Sequence, residues 1–264
     1  MKKIFSVFFV LTLFLAACSS SKKSAATAPE TKLRPTPVYE MRTYFAAPGK
    51  LDDLSARFRN NTTRIFSKHG MTNVGYWIPI DNPDNKLVYI LSYPSREARE
   101  ASWKAFSADP EWIAVAKASE ANGKLVTKVE SVFMQNTDYS PVVKPEIKTP
   151  ARTFELRTYT ASTGNIDNLH NRFRNHTMKL FQKHGITNIG YWQPMPKADG
   201  TRSDLLIYLI AHPDKTTGDA SWKAFREDPE WVKVKAASEV KGGGSLTTKV
   251  ESVFMLPTDY SPIK

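Results

Sequence analysis

The stretch KHGMTNVGYW, Lys68 to Trp77, returns as KHGITNIGYW, Lys183 to Trp192. Eight of the ten residues are identical, and both changes swap one aliphatic side chain for another. The flanking sequence is doubled as well. YEMRTY (Tyr39–Tyr44) recurs as FELRTY (Phe154–Tyr159), and SWKAFSADPEW (Ser102–Trp112) as SWKAFREDPEW (Ser221–Trp231). TKVESVFMQNTDYSP (Thr127–Pro141) recurs as TKVESVFMLPTDYSP (Thr248–Pro262). The offset between copies rises from 115 to 119 to 121, and it rises only across Pro194–Ser203 and Gly242–Gly244. Turn residues fill both places, so the duplication is one of folded units.

Within the first copy, Val38–Phe45 alternates and is rich in β-formers, which predicts a strand. After the turn at Pro48-Gly49, Leu51, Leu54, Phe58, Ile65 and Phe66 recur at helical spacing. His69-Gly70 ends that helix, because Gly tolerates the left-handed conformation beyond a helix terminus. Val74–Pro79 and Leu87–Tyr93 flank the turn DNPDN and predict a hairpin. Ser95–Phe106 reads as a second helix, and Asp109-Pro110-Glu111 as the capped start of another. Leu125–Met134 is the last strand. The order βαββαβ predicts an α+β fold of ferredoxin-like units, each an antiparallel sheet with helices on one face. The organisation is then unit one over 38–140, a linker over 141–150 and unit two over 151–264. Three prolines in the linker PVVKPEIKTP favour an extended spacer.

Strand alternation assigns Tyr39, Met41 and Phe45 to the helix-covered side of the sheet, with Phe154 and Leu156 as their echoes. Glu40, Arg42 and Tyr44 then take the open side, as do Glu155, Arg157 and Tyr159. In the last strand Val129 and Phe133 face the helices, and Lys128, Glu130, Val132 and Met134 face away. An open face of that mixture leaves apolar area in water. Packing the two units sheet to sheet closes an intramolecular α+β barrel with a partly polar interior, and the linker supplies a high effective concentration. The chain is thus expected to be a monomeric pseudo-dimer. Neighbouring first and last strands would let Arg42 pair with Glu130, and Arg157 with Glu251. That constellation has two readings: a semi-enclosed pocket whose Arg holds an anion beside a Glu of raised pKa, or a salt-bridge ladder that fixes the packed sheets.

E-x-R-x-Y in the first strand, a helix ending before Gly, Trp77 in the second strand and W-K-A-F…D-P-E-W together resemble the NIPSNAP family. Both copies carry the pattern, over roughly Pro37–Ser140 and Ala151–Lys264. The resemblance implies a dimeric α+β barrel, an architecture shared with antibiotic-biosynthesis and haem-degrading monooxygenases and chlorite dismutases. It implies no established reaction. If Asn73 and Trp77, with Asn188 and Trp192, share the interior face, they echo the Asn/Trp sites of such monooxygenases.

His69 and His184 end helices, where an imidazolium interacts favourably with the terminal carbonyls; the alternative is haem or metal ligation. His170 and His176 align with Ser55 and Asn61, and His212 aligns with Tyr93. No H-E-x-x-H or clustered His/Asp/Glu spacing occurs, so neither a metal site nor a cofactor is expected. Trp103, Phe106 and Trp112, with Trp222, Phe225 and Trp231, read as packing residues. Nucleotide-binding and serine-hydrolase motifs are absent.

The beginning of the chain reads as an address. Lys2 and Lys3 precede an apolar run, Ile4 to Leu15, followed by Leu-Ala-Ala-Cys18. This predicts a signal peptide over 1–17, too short to span a bilayer, and it resembles a bacterial lipobox with Cys18 as the lipidated residue. Cys18 is the only cysteine in 264 residues, so an intrachain disulfide is excluded. Residues 18–37 are rich in Ser, Lys, Ala, Thr and Pro and read as a flexible tether. The net charge is +11, or +9 without Lys2 and Lys3, and it is dispersed among acidic residues. That dispersal argues against a nucleic-acid partner and for a solvated surface, with weak attraction to anionic headgroups as the alternative. The expectation is a cell-envelope protein, lipid-anchored at the outer membrane and facing the periplasm. It would act as a binding or interaction module with a possible small-molecule ligand. The alternative is a cofactor-less or haem-related monooxygenase- or isomerase-like enzyme using Glu, Arg and Tyr.

Overall fold

The computed structural model describes Met1, residues 37–196 and residues 199–264. The apolar signal segment after Met1, Cys18 and the tether as far as residue 36 lie outside the described residues. The first half runs β1 (Val38–Ala46), α1 (Leu51–Arg57), α2 (Thr63–Lys68), β2 (Thr72–Pro79), β3 (Lys86–Tyr93), α3 (Arg96–Ala108), α4 (Pro110–Ser119) and β4 (Val126–Asn136). The second half repeats it as β5 (Thr153–Ala161), α5 (Ile166–Arg172), α6 (Met178–Lys183), β6 (Thr187–Pro194), β7 (Leu205–His212), α7 (Lys215–Glu227), α8 (Pro229–Lys241) and β8 (Thr247–Pro257). The single helix expected between residues 51 and 68 is continuous but contains a π-helical turn, Phe58–Thr62, mirrored by Phe173–Thr177. The predicted cap is present, Asp109 accepting from Glu111 N, and Ser95 Oγ caps α3 by accepting from Ala98 N. Each satisfies an amide left free by the first helical turn.

The strands form one closed barrel in the order β1-β3-β2-β8-β5-β7-β6-β4. The halves meet edge to edge at two seams. In one, Trp77, Ile78 and Pro79 of β2 pair with Pro257, Leu256 and Met255 of β8. In the other, Met134, Gln135 and Asn136 of β4 pair with Pro194, Gln193 and Trp192 of β6. Closure removes sheet edges that would otherwise expose unpaired amides. Each seam is locked by the doubled sequence TDYSP. Thr137 N donates to Tyr191 O at 3.0 Å, and Tyr191 N donates to Ser140 Oγ at 2.9 Å. Reciprocally, Thr258 N donates to Tyr76 O and Tyr76 N to Ser261 Oγ, both at 3.0 Å. The linker is held down as well, through Glu146 N to Pro262 O and Lys264 N to Glu146 O.

The barrel interior is apolar. Tyr39, Trp77, Ile90 and Met134 meet Phe154, Trp192, Leu209 and Met255 there in one buried cluster. Trp77 stands 5.6 Å from the Phe154 ring, and Tyr39 5.7 Å from Trp192. The two indoles fold back over Gly75 and Gly190, where an added Cβ would fall 2.2 Å and 2.5 Å from ring carbons. Side chains thus occupy the lumen, as in other small barrels.

This arrangement overturns the expected faces of β1 and β5. Tyr39 and Met41 point into the barrel, and Glu40, Arg42 and Tyr44 point under the helices; Glu155, Arg157 and Tyr159 do likewise. The pairing register requires it, because directly opposed residues share a face. Tyr39 opposes Met134 and Met41 opposes Val132, both lumen residues, while Glu40 opposes Phe133. The assignment for β4 stands. Both faces of β1 are buried, so alternation there contains no solvent side to orient it.

Candidate functional site

Glu40 is fully buried beneath α3 and fully satisfied. It accepts from Arg42 Nη1 at 2.5 Å, from Arg99 Nη2 and Nε at 2.9 and 3.0 Å, from Ser131 Oγ at 2.7 Å and from Tyr93 OH at 3.2 Å. Trp103 Nε1 donates to that Tyr93 oxygen, and Arg42 donates to Tyr89 OH while lying 4.4 Å from the Trp103 ring. Burial pushes the Glu40 carboxyl upward, but hydrogen bonds from Arg99 and Ser131 and the charge of Arg42 hold it down at about 2.

Glu155 repeats the motif with altered partners. Arg157 Nη1 donates at 2.5 Å, Ser252 Oγ at 2.5 Å and Trp222 Nε1 at 2.6 Å, while His212 Nε2 lies 3.0 Å away. Tyr93 has become His212, and Arg99 has become Gly218. A Cβ at residue 218 would fall 2.9 Å from His212 Cγ, so the glycine and the imidazole belong together. Here too burial opposes ionisation, and His212, Arg157, Ser252 and Trp222 outweigh it, giving a carboxyl at about 2.

A carboxylate acting as a base near neutrality needs a raised pKa, and both of these are lowered. They are buried anions locked by cations. The sign of their pH linkage follows: a lowered folded pKa contributes stability that is fully present above the ordinary 4.5 and is lost as pH falls toward 2. Urea midpoints are therefore expected to fall steeply between those values. Glu40→Gln or Glu155→Gln should make the acid slope shallower than in the parent chain, and parallel slopes would contradict the assignment.

The remaining expected site residues separate. Glu130 and Glu251 do not pair with Arg42 and Arg157; they are exposed and bind Lys128 and Lys249 at 2.6 and 2.7 Å. The register places Ser131 opposite Arg42 and Glu130 opposite Thr43, on the other face. Asn73 and Trp77 do not share a face either. A bulge between Asn73 and Gly75 breaks the alternation, and its counterpart lies between Asn188 and Gly190. Asn73 turns toward α2, donating to Thr63 O at 3.0 Å and accepting from Tyr76 OH, and Asn188 donates to Met178 O at 3.1 Å. Trp77 and Trp192 do face the lumen, and their buried indole N–H groups have no acceptor. His69 and His184 bind the carboxylates of Asp109 and Asp228 at 2.7 and 2.6 Å. Among the described residues no group of three or more His, Cys, Asp and Glu could hold a metal ion.

The NIPSNAP family model matches residues 39–141 and again 154–262. The chain belongs to the NIPSNAP family. Mouse NipSnap homolog 3B is 23% identical to this NIPSNAP chain over 230 residues, covering 86% of it and 85% of the mouse protein. The "putative monooxygenase" of Lactobacillus acidophilus superposes with a TM-score of 0.53 at 9% identity, covering 86% of this chain and 98% of its own. An anthrone oxidase-like protein gives 0.53 at 12% identity, with 87% and 94% covered. At such identities the likeness is one of fold.

On the helical side of this NIPSNAP chain a groove is repeated in each half, and smaller recesses of about 310–380 Å³ lie at the linker and the strand seams. Between α1 and α4 the groove holds about 440 Å³ and is lined by Arg57, Asn60, Val115 and Ser119. Between α5 and α8 it holds about 520 Å³ and is lined by Arg172, Asn175, Val234 and Ser238. A buried arginine belongs to each, Arg57 beside Trp112 and Arg172 beside Trp231. The sequence reading passed over both arginines because each lies in an ordinary amphipathic helix. The signal available was their duplication within ARFRN and NRFRN.

Proposed function

We propose that this NIPSNAP chain is a lipid-tethered binding protein of the cell envelope. Its two ferredoxin-like units form a monomeric pseudo-dimer, and its ligand-accepting surfaces are the grooves between helices. One observation carries the reading: the places where chemistry was expected are closed, and the grooves are open. Glu40 and Glu155 are saturated with donors, the lumen is filled with side chains, and each groove keeps several hundred Å³, within the range of small-molecule sites. The monooxygenase-like reading needs Glu, Arg and Tyr open to a substrate, and both carboxylates are instead enclosed by donors beneath the helices.

Tethering is supported by the sequence, where Leu15-Ala-Ala-Cys18 follows an apolar run and the only thiol occupies the position that lipidation requires. No described helix is long and apolar enough to cross a membrane. Two or three acyl chains on Cys18 hold a protein firmly, since each buried methylene contributes about 0.8 kcal/mol. The test is expression in a bacterial host with labelled palmitate. The parent chain should incorporate label and enter the detergent phase of Triton X-114, and Cys18→Ser should do neither. A Cys18→Ser chain that still partitions with detergent would end the proposal.

A further inference from the structure

The two grooves differ in the pairing of their buried arginine. Arg57 Nη1 lies 3.3 Å from Glu120 Oε1, so the buried guanidinium of the first half has a counter-ion. The residue matching Glu120 in the second half is Glu239, and it approaches Lys235 at 4.0 Å instead. Arg172 donates through Nη1 to Ser238 Oγ at 3.3 Å, as Arg57 does to Ser119, and among the described residues the buried Nε of each arginine has no acceptor. Among the described residues no carboxylate lies within ion-pair distance of Arg172. Only 6% of the residue is exposed, and it lines the groove, so its charge is reached from the groove side. A buried charge without a partner is costly, and a site that retains one is arranged for a charge supplied from outside. Burial also holds the Arg172 guanidinium below its ordinary pKa, with Tyr159 and Glu239 opposing that shift.

The rest of the groove fits the same reading. Lys233 and Lys241 stand exposed on its rim, and Glu230 is the one carboxylate among its lining residues. Val234 and Ala237 supply an apolar wall beside the cations. Cations at the bottom and rim with an aliphatic flank recognise an amphiphilic anion, because a guanidinium binds carboxylates through paired, charge-assisted hydrogen bonds.

We infer that the groove between α5 and α8 binds a soluble organic acid, its carboxylate on Arg172 and its short apolar body along Val234 and Ala237. This rests on the binding-module reading and names the ligand class of one groove. The counterpart groove, whose arginine is already neutralised by Glu120, does not take the same ligand.

The test is titration of the full chain carrying Cys18→Ser with hexanoate and with its neutral isostere hexanamide, followed by calorimetry and by the Nε–H resonance of Arg172. Because the anchor is removed, the outcome is independent of whether Cys18 is lipidated. Hexanoate should bind and shift that resonance, with hexanamide at least tenfold weaker, about the factor one charge-assisted hydrogen bond supplies. Arg172→Met should weaken hexanoate by a similar factor. Equal affinity for the two probes, no binding of hexanoate at millimolar concentrations, or full affinity in Arg172→Met each overturns the inference. Should Arg172→Met fail to fold by circular dichroism, the exposed pair Lys233→Glu and Lys241→Glu decides. Weaker hexanoate binding at an unchanged melting temperature supports the site, and unchanged binding overturns it.

Discussion

Glu40→Ala is expected to lower unfolding free energy by about 3–5 kcal/mol, measured by urea denaturation at pH 7, because it strands buried cations. Arg42 loses its carboxylate and Arg99 keeps only the exposed Glu100, and neither can shed its proton near neutrality. A domain of this kind holds only about 5–15 kcal/mol in total, so the change consumes much of it. Glu155→Ala should cost less. It leaves one guanidinium, Arg157, where Glu40→Ala leaves two. The order of the two effects distinguishes a cation-strand mechanism from simple loss of packing, since Glu removes the same volume at both positions. Equal losses, or a larger loss at Glu155, would show that the second arginine is not what makes Glu40 indispensable. Arg99→Ala supplies the converse: it leaves Glu40 with Arg42, Ser131 and Tyr93, a set close to that of Glu155. The resulting chain should therefore lose less than Glu40→Ala does.

The same residues show what was legible in the sequence and what was not. Repetition revealed the duplicated unit, its order of elements and the Asp109 cap, because those depend on periods and turns that each copy states independently. The barrel, in contrast, was expected from the wrong face of β1 and from the family resemblance. The side on which Glu40 and Arg42 lie depends on register between strands, and a β1 buried on both faces offers no polar edge to read. Here charge proved a poor guide to solvent. The mixed Glu-Arg-Tyr face is covered by α3 and α7, which supply its donors Arg99 and Trp222, while the apolar Tyr39–Met41 face forms the shared lumen. Asn73 and Trp77 were separated by one bulged residue, a local event that alternation assumes away. The differences between copies carried the most information about the site. Tyr93 against His212, and Glu120 paired against Glu239 unpaired with the helix arginine, mark where the halves diverged within one architecture.

Removing residues 258–264 is expected to destabilise the chain by at least 3 kcal/mol, about the sum of one buried Ile and one orphaned amide. The deletion strips the seam of its lock. Tyr76 N loses Ser261 Oγ, Tyr76 O loses Thr258 N, and the Tyr260 ring leaves its contacts with Phe58 and Tyr76 at 6.4 and 5.3 Å. Ile263, 2% exposed, departs from the lumen cluster, and the linker loses its attachment at Glu146. The Arg59–Asp259 pair also goes, but it is exposed, and such pairs contribute about 1 kcal/mol or less. Asp259→Ala is therefore the control: it should change the urea midpoint little, and the deletion should change it greatly. The seam between β2 and β8 is only three residue pairs long, too few to hold the barrel closed without the tail. Loss of closure should appear as faster hydrogen exchange at the β2 and β8 amides, ahead of those in β5 and β7. A deleted chain with parental stability and uniform exchange would mean that the strands alone join the halves, and the doubling of TDYSP would then need another explanation.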